Sequence, residues 1–484
     1  MRPSVTDRLS RLILHSTWML TCLLAVAPAQ SAGAEETKRP NIIFLLSDDQ
    51  RVDTITALGN DRIKTPNLDR LVRRGFIFDN TYCMGSMSAA VCAPSRAMIL
   101  TGRTLWHNPI GFSVPWKGTK QTRGKTPHIT MPKFFRDHGY ATFCTGKWHQ
   151  GSPTAIEGFT AGDNIFFGGM GNHEELPLTS LERVSQGKGA TKSSTFSSEA
   201  FASAAVDFLR RRHSEESASS QPFFMYISFT APHDPRTPPS DYRYDADTMT
   251  VPRNFLPEHP FDNGELTIRD EKLAAFPRSK KAVRQHLADY YGMITHLDAH
   301  VGRVLEALRD TGEADNTLVV FTSDHGLAIG SHGLLGKQNL YEHSMKAPLI
   351  FAGPGIEEGS SAALVYLFDI FPTLAEYAGL PVPVSVEGKS LLPIIDGKSD
   401  SVRDSAFLAY RDLQRAVREG KWKLIEYAVK GKRTTQLFDL ESDPDEVHNL
   451  AADPKYKAIR ERLSVKLGDW QEKLDDPARS KFQG

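Results

Sequence analysis

The chain has 484 residues, enough for one large core plus a minor subdomain. Its 58 basic and 58 acidic side chains cancel, so no global field gathers a polyanion, and nucleic acid is excluded as an expected partner. Four cysteines in this length do not make a disulfide scaffold.

In chain order the first feature is a leader: Arg2, Arg8 and Arg11, an apolar stretch from Trp18 to Ala27 broken by Thr21, then Ala32-Gly33-Ala34. Basic, apolar, small-x-small is the order of a secretory signal, and the apolar part is too short to span a bilayer comfortably. Cys22 sits inside the apolar stretch, which argues against a lipid-attachment site. Residues 1–34 are therefore expected to be a signal peptide. The mature chain is expected to be soluble and exported, periplasmic or secreted, without an integral membrane segment. Of its three cysteines, Cys83 and Cys144 are expected to be buried free thiols.

From Asn41 to about Ala352, apolar runs alternate with amphipathic stretches. Ile42–Leu46 reads as a strand, Thr65-Pro66 opens a helix closed by Gly75, and Phe76-Ile77-Phe78 follows as a strand. Met131 to His138 precedes a strand from Tyr140, and Ser197 to Arg212 precedes Phe223–Ile227. Lys281 to Arg309 is long and periodic before Leu318–Phe321. That rhythm predicts βαβ units, an α/β fold with a mostly parallel sheet and helices on both faces. The Gly, Asn and Ser content from Gly151 to Ser194 and the prolines from Pro232 to Pro260 predict long irregular loops. Short runs at Ala406–Tyr410, Ala416–Arg418, Trp422–Ile425 and Gln436–Phe438 predict a small antiparallel sheet, followed by a helix from Tyr456 to about Leu474. The expected division is a catalytic domain over 35–395 and a C-terminal α+β subdomain over 396–484. The acid-free stretch with Lys117, Lys120, Arg123, Lys125 and His128 reads either as a solvated loop or as a rim for sulfated polymer.

Two apolar runs end alike, one in Ser47-Asp48-Asp49 and one in Ser323-Asp324-His325. Ligands of open α/β sheets sit outside the carboxyl ends of the strands, so three carboxylates and an imidazole are delivered to one rim. Such hard oxygen donors call for a divalent cation. Between the runs lies Cys92-Ala93-Pro94-Ser95-Arg96. Pro94 suits the first turn of a helix, which places Cys92 just before helical N–H groups that face an anion. Arg96 opposes the helix dipole there unless it holds an anion. Lys147 and His149, two apart at the exit of a strand over Tyr140–Thr145, are expected to face the same way.

Cys92-x-Pro94-Ser95-Arg96, continued by Ala97 and Leu100-Thr101-Gly102-Arg103, resembles the signature of the formylglycine-dependent type I sulfatases of the alkaline-phosphatase superfamily. Further matches lie at Arg39-Pro40-Asn41, Gly146-Lys147-Trp148-His149, Ala231-Pro232-His233 and Gly336-Lys337. They continue through Leu437-Phe438-Asp439-Leu440, Asp443-Pro444, Glu446 and Asn449-Leu450, covering nearly the whole mature chain.

The resemblance implies an alkaline-phosphatase-like sheet and hydrolysis of a sulfate ester. Cys92 would be oxidised to formylglycine (3-oxoalanine) by a formylglycine-generating maturation enzyme. One hydroxyl of its hydrate would attack sulfur, and deprotonation of the other would expel sulfate. In that pattern Arg96 stabilises the hydrate, His149 is the base for the second hydroxyl, and His233 protonates the leaving oxygen. Lys147 and Lys337, with His233, bind the substrate's sulfate. Asp48, Asp49, Asp324, His325 and residue 92 form the metal set. One Ca²⁺ is expected, with Mg²⁺ or Mn²⁺ as alternatives, because His325 stands where many members carry Asn and imidazole also suits transition metals. The expected partner is a sulfated small molecule or sulfated glycan. His173, Arg236, Tyr242, Arg243, His332, Gln338 and Tyr341 are candidates for recognising it. Two rival readings are a phosphonate monoester or phosphodiester hydrolase, whose relatives share the signature, and a non-catalytic sulfated-glycan-binding protein.

Overall fold

Ile42 to Leu46 are apolar at every position because the strand they form, β1 (Asn41–Ser47), is covered on both faces. Ile42, Phe44 and Leu46 enter one core with Met98, Phe135 and Phe407, while Ile43 and Leu45 enter a second with Phe201, Leu297 and Val301. Burying each such side chain contributes about 1.5–3 kcal/mol, so one strand anchors both cores. The molecule is a computed structural model that describes residues 38–108, 128–215 and 221–483. The leader and Lys117, Lys120, Arg123 and Lys125 lie outside these residues.

The strands that follow are β2 (Phe76–Tyr82), β3 (Gly85–Ser86), β4 (Ala141–Lys147), β5 (Ala161–Phe166), the short pair β6 (Pro177–Leu178) and β7 (Thr191–Lys192), β8 (Phe223–Ser228), β9 (Thr317–Ser323), β10 (Leu349–Ala352) and β11 (Gly359–Tyr366). Seven of them join β1 in one eight-stranded sheet in the order β11-β2-β10-β9-β1-β8-β4-β5, and only β10 runs against the rest. The helices Cys92–Thr101 and Met131–Asp137 pack on the first core; Ser197–Ser214 and Lys280–Asp310 pack on the second. The mostly parallel α/β sheet with helices on both faces is as expected. Among the described residues no helix is long and apolar enough to cross a membrane.

Register decides where the chemistry falls. Ser47 pairs with Ser323, Leu46 with Ser228, and Ser228 with Gly146, so β1, β9, β8 and β4 end at one level. Asp48 and Asp324, which follow two of those ends, and Lys147, the last residue of β4, therefore share a rim.

Two features differ from expectation. The stretch from Gly151 to Ser194 is not simply irregular: it contains the helix Ser152–Gly158 and the edge strand β5, in which only Ile165 and Phe166 are buried. An edge strand needs few apolar residues, and Ala161-Gly162-Asp163-Asn164 hid it. The C-terminal sheet is antiparallel over β12 (Ser405–Tyr410), β13 (Gln414–Glu419), β14 (Trp422–Val429) and β15 (Lys432–Asp439), as expected. It also takes in β3, which pairs parallel with β12 and lies just ahead of Cys92.

Gly146 sits at φ 90°, and a Cβ there would lie 1.9 Å from the Ser228 carbonyl oxygen. Only glycine lets β4 approach β8 closely enough to hold register at Lys147. Gly139 has φ 85° but nothing within 4 Å of an added Cβ. Gly146→Ala is therefore expected to lower stability by roughly 1–3 kcal/mol more than Gly139→Ala in chemical denaturation, the usual cost of overpacking. Equal losses would refute the close approach.

Candidate active site

Cys92 is the first residue of the helix Cys92–Thr101, one place further in than its expected position just before the helix. Val91 caps it without a side-chain bond, and Ser95 Oγ donates to the Asp324 carbonyl at 2.6 Å, pinning the helix start to the end of β9. Gln150 Nε2 donates to the Ala93 carbonyl at 2.7 Å from the other side. The Cys92 sulfur lies 3.2 Å from His325 Nε2, 3.3 Å from Lys337 Nζ and 3.8 Å from Asp49 Oδ1. His325, Lys337 and Asp49 thus converge on it, and ligand atoms of Asp48, Asp324 and His233 lie within 4.8 Å of it.

Arg96 is fully buried and holds the rim together. Its Nε is 2.9 Å from Asp324 Oδ2, its Nη1 donates to the Lys147 carbonyl at 2.9 Å and to Ser228 Oγ, and its Nη2 is 3.8 Å from Asp48 Oδ2. It makes no hydrogen bond to Cys92 among the described residues; its direct partners are the two carboxylates, the Lys147 carbonyl and Ser228. Lys147 Nζ pairs with Asp48, and Lys337 Nζ reaches Asp49 Oδ1 at 2.7 Å. Three buried carboxylates thus face three buried cations. Charge balance alone does not require a dication here, contrary to the argument from the sequence.

The geometry of the donors makes that case instead. Asp48, Cys92, Asp324 and His325 each offer a ligand atom, all within 4.8 Å of one another. Asp48 Oδ1 is buried with no hydrogen-bond partner among the described residues. His325 Nδ1 donates to the Gly326 carbonyl at 2.9 Å, which fixes the tautomer and turns the Nε2 lone pair toward Cys92 and Asp49. Asp49 is tied in by its backbone N–H to Asp324 Oδ1 at 3.1 Å and by Tyr290, whose hydroxyl donates to the Asp49 carbonyl at 2.6 Å. This set suits a divalent cation.

Burial alone would raise the Asp48 and Asp49 carboxyls, but the charges of Lys147 and Arg96 on the first and Lys337 and His233 on the second hold both well below the usual range. Burial, then Asp48, pushes the unmodified Cys92 thiol far up, so it stays protonated. His233 donates from Nδ1 to the Asp234 carbonyl at 2.8 Å, leaving Nε2 facing Asp49 Oδ2 at 3.8 Å. Burial, then Lys337, lowers its pKa.

His149 does not follow Lys147 as an extended strand would. β4 ends at Lys147, and His149 takes φ 59°, so the equal-facing argument fails. The turn nonetheless leaves the ring in the same field: burial, then Lys147 and Arg96, lowers its pKa to about 3, and its Nδ1 is buried without a partner among the described residues. A Cβ on Gly169 would come within 2.9 Å of His149 Nε2, so that glycine makes room for this ring.

Several recognition candidates prove structural. His173 is buried and bonds to Ser197 Oγ at 2.8 Å and the His233 carbonyl at 3.0 Å. His332 stacks on Tyr341 with centroids 3.9 Å apart, both buried. Arg236 lies over the Tyr290 ring, and Tyr242 packs edge-on against His296. Arg243 is exposed, and Gln338 donates to Asp270 Oδ2 at 2.8 Å beside Lys337. Cys83, Cys92 and Cys144 are buried and free. Ser228 and Tyr290 escaped notice in the sequence, although Ser228 ends β8 in the same apolar-then-serine pattern as Ser47 and Ser323.

Comparison with known proteins agrees with this geometry. The family model described as Sulfatase matches residues 40–380, and the model described as N-sulphoglucosamine sulphohydrolase, C-terminal, matches residues 330–473. An N-acetylglucosamine-6-O-sulfatase of Bacteroides thetaiotaomicron is 26% identical over 94% of this chain and 90% of its own. A solved structure in complex with its substrate D-glucosamine-2-N,6-O-disulfate superimposes with TM-score 0.76 at 25% identity, over 92% of this chain and 100% of that one. A phosphonate monoester hydrolase of Agrobacterium radiobacter, at 23% identity and TM-score 0.70 over 90% and 96%, shares the fold. With the family's model running across the rim that gathers Asp48, Cys92, Arg96, Lys147, His233 and Asp324, the chain belongs to the sulfatases, sulfuric ester hydrolases of the alkaline-phosphatase superfamily.

Proposed function

We propose that this sulfatase cleaves a sulfate ester on a sugar, using formylglycine made from Cys92 by a maturation enzyme and one divalent cation, with Ca²⁺ favoured. The observation that carries the reading is the convergence of His325, Lys337 and Asp49 on the side chain at position 92, at the start of a helix. The sugar is supported by the amino-sugar relatives, and the exported location rests on the leader. Asp48, Asp49, Asp324, His325 and residue 92 would hold the cation, which supplies Lewis-acid stabilisation of charge on oxygen. Formylglycine, as its hydrate, supplies an oxygen nucleophile where a buried thiol supplies none.

The chain's own residues do the rest. The net reaction consumes one water: the sulfur–oxygen bond to the alcohol breaks, a sulfur–oxygen bond to the incoming oxygen forms, and alcohol and sulfate leave. Lys147 and Lys337 turn from Asp48 and Asp49 to the sulfuryl oxygens, where their charge offsets the negative charge that builds up. His233, held at Nδ1–H by the Asp234 carbonyl, would act as the imidazolium, whose second proton on Nε2 is favoured by Asp49 and by the negative charge of the ester; it gives that Nε2 proton to the departing oxygen and returns to the neutral Nδ1–H form. His149 is held neutral by burial and Lys147, and takes a proton from position 92. An arriving sulfate ester partly cancels the Lys147 and Arg96 charges that weaken this base, so its basicity rises once the site is filled.

A panel of sulfated mono- and oligosaccharides against matched phosphate and phosphonate esters tests the substrate. Preference for phosphorus would sink the reading. Cys92→Ala is expected to abolish turnover with the fold intact, and the wild-type peptide around Cys92 is expected to carry the aldehyde mass. Full activity of a chain whose Cys92 is an intact thiol would falsify the formylglycine assignment. Chelation is expected to remove activity and Ca²⁺ to restore it, with Asp48→Asn and Asp324→Asn weakening metal binding and turnover together.

The two histidines are separable kinetically. His149→Ala is expected to lose on the order of 10²–10⁴ in turnover, the usual worth of a positioned base, while still releasing alcohol in a burst equal to the enzyme concentration. His233→Ala is expected to slow that first release, most for sugar leaving groups and least for activated phenols. No burst in the first variant, or equal losses across leaving groups in the second, would show the roles to be misassigned.

A further inference from the structure

The segment between Pro232 and the helix Lys280–Asp310 contains a short turn, Arg269-Asp270-Glu271, whose side chains reach the flanks of two catalytic groups. His233 follows β8 and Lys337 follows β9, so neither strand fixes one relative to the other. Arg269 grips both oxygens of Asp234, with Nη2 3.0 Å from Oδ1. Asp234 is the residue whose carbonyl accepts the His233 Nδ1 proton. A planar fork on a carboxylate sets orientation as well as distance.

On the other side, Glu271 accepts the backbone N–H groups of Leu335 at 2.9 Å and Gly336 at 2.8 Å, and pairs with the buried Arg278. Asp270 joins the two halves: its Oδ1 is 2.9 Å from Arg269 Nη2, and its Oδ2 accepts from Gln338 Nε2 at 2.8 Å. Lys337 is thus bracketed by Gly336 and Gln338, both held by the turn. Asp234, Asp270, Glu271 and Gln338 are all buried, whereas the Arg269 side chain is 43% exposed. Gly336 leaves no slack, since a Cβ there would lie 2.4 Å from Gln338 Oε1 and 3.0 Å from Glu271 Oε1.

We propose that Arg269, Asp270 and Glu271 are positioning residues that lock His233 and Lys337 in one geometry, so that proton delivery to the departing oxygen and charge stabilisation at sulfur act together. The inference rests on the roles given above to those two residues. Its physical basis is that a misplacement of about 1 Å can cost on the order of 10² in rate. Both groups also meet Asp49, but those contacts involve the side-chain tips that must turn to substrate, whereas the turn holds the flanks from which the two side chains spring.

Double-mutant cycles test it. Arg269→Met, at a half-exposed position, is expected to fold and to lower kcat/KM roughly tenfold for sugar sulfates, with a smaller loss for activated aryl sulfates, below the worth of the acid itself. Arg269→Lys is expected to recover part of that loss. In a His233→Ala background, Arg269→Met is expected to cost nothing further. Glu271→Gln is expected to weaken inhibition by inorganic sulfate, again with no added effect beside Lys337→Ala. If Glu271→Gln does not fold, Asp270→Ala, which frees Gln338, is read in the same way. Additive losses in both cycles would overturn the inference. His233→Ala alone separates the two questions: no dependence on leaving group there rejects the acid role, while the cycle still reports whether Arg269 and His233 are coupled.

Discussion

One buried guanidinium joins everything that matters at the rim. Arg96 rises from the helix that carries Cys92 and meets the end of β9 at Asp324, the end of β4 at the Lys147 carbonyl, β8 at Ser228 and the residue after β1 at Asp48. A single planar group with five donors can satisfy so many directions, and lysine cannot. Its desolvation is offset by the two carboxylates beside it, and removing either would leave charge unpaired in the interior, typically a loss of about 3–5 kcal/mol. The in-register ends of the four strands set these partners at the right level.

The charge arithmetic of the rim bears on how substrate enters. Lys147 and Lys337 hold Asp48 and Asp49, the carboxylates that a cation would also claim. A dication that took the two carboxylates would release both lysines to the sulfuryl oxygens of an anionic ester. An ester without the cation would add negative charge while both lysines remained committed. On the proposed reading, binding of the two would be coupled by electrostatics.

Much of the site was legible because its signals are local. An apolar run closed by Ser-Asp says that a buried strand ends in acid, and the stretch from Cys92 to Arg103 is long enough to be specific. What sequence could not give was either non-local or conformational. The left-handed turn at His149 has no marker beyond Gly169, which lies on a different loop. His173 looked like a loop residue, yet it is buried against Ser197 and the His233 carbonyl, partners 24 and 60 positions away. The polar edge strand β5 lacks an apolar pattern because only two of its residues meet a core.

The short strand β3 has a consequence in time. Gly85, seven residues before Cys92, pairs with Ala409, which is 324 positions later. Chains emerge at about 5–20 residues per second, so roughly 16 to 65 seconds separate the two partners during synthesis. Throughout that interval the segment ahead of Cys92 lacks the neighbour that completes its sheet, and the cysteine buried in the finished molecule is still on an open chain. Any enzyme that must reach this side chain works on a nascent or unfolded substrate, and the last quarter of the sequence sets the moment at which access ends.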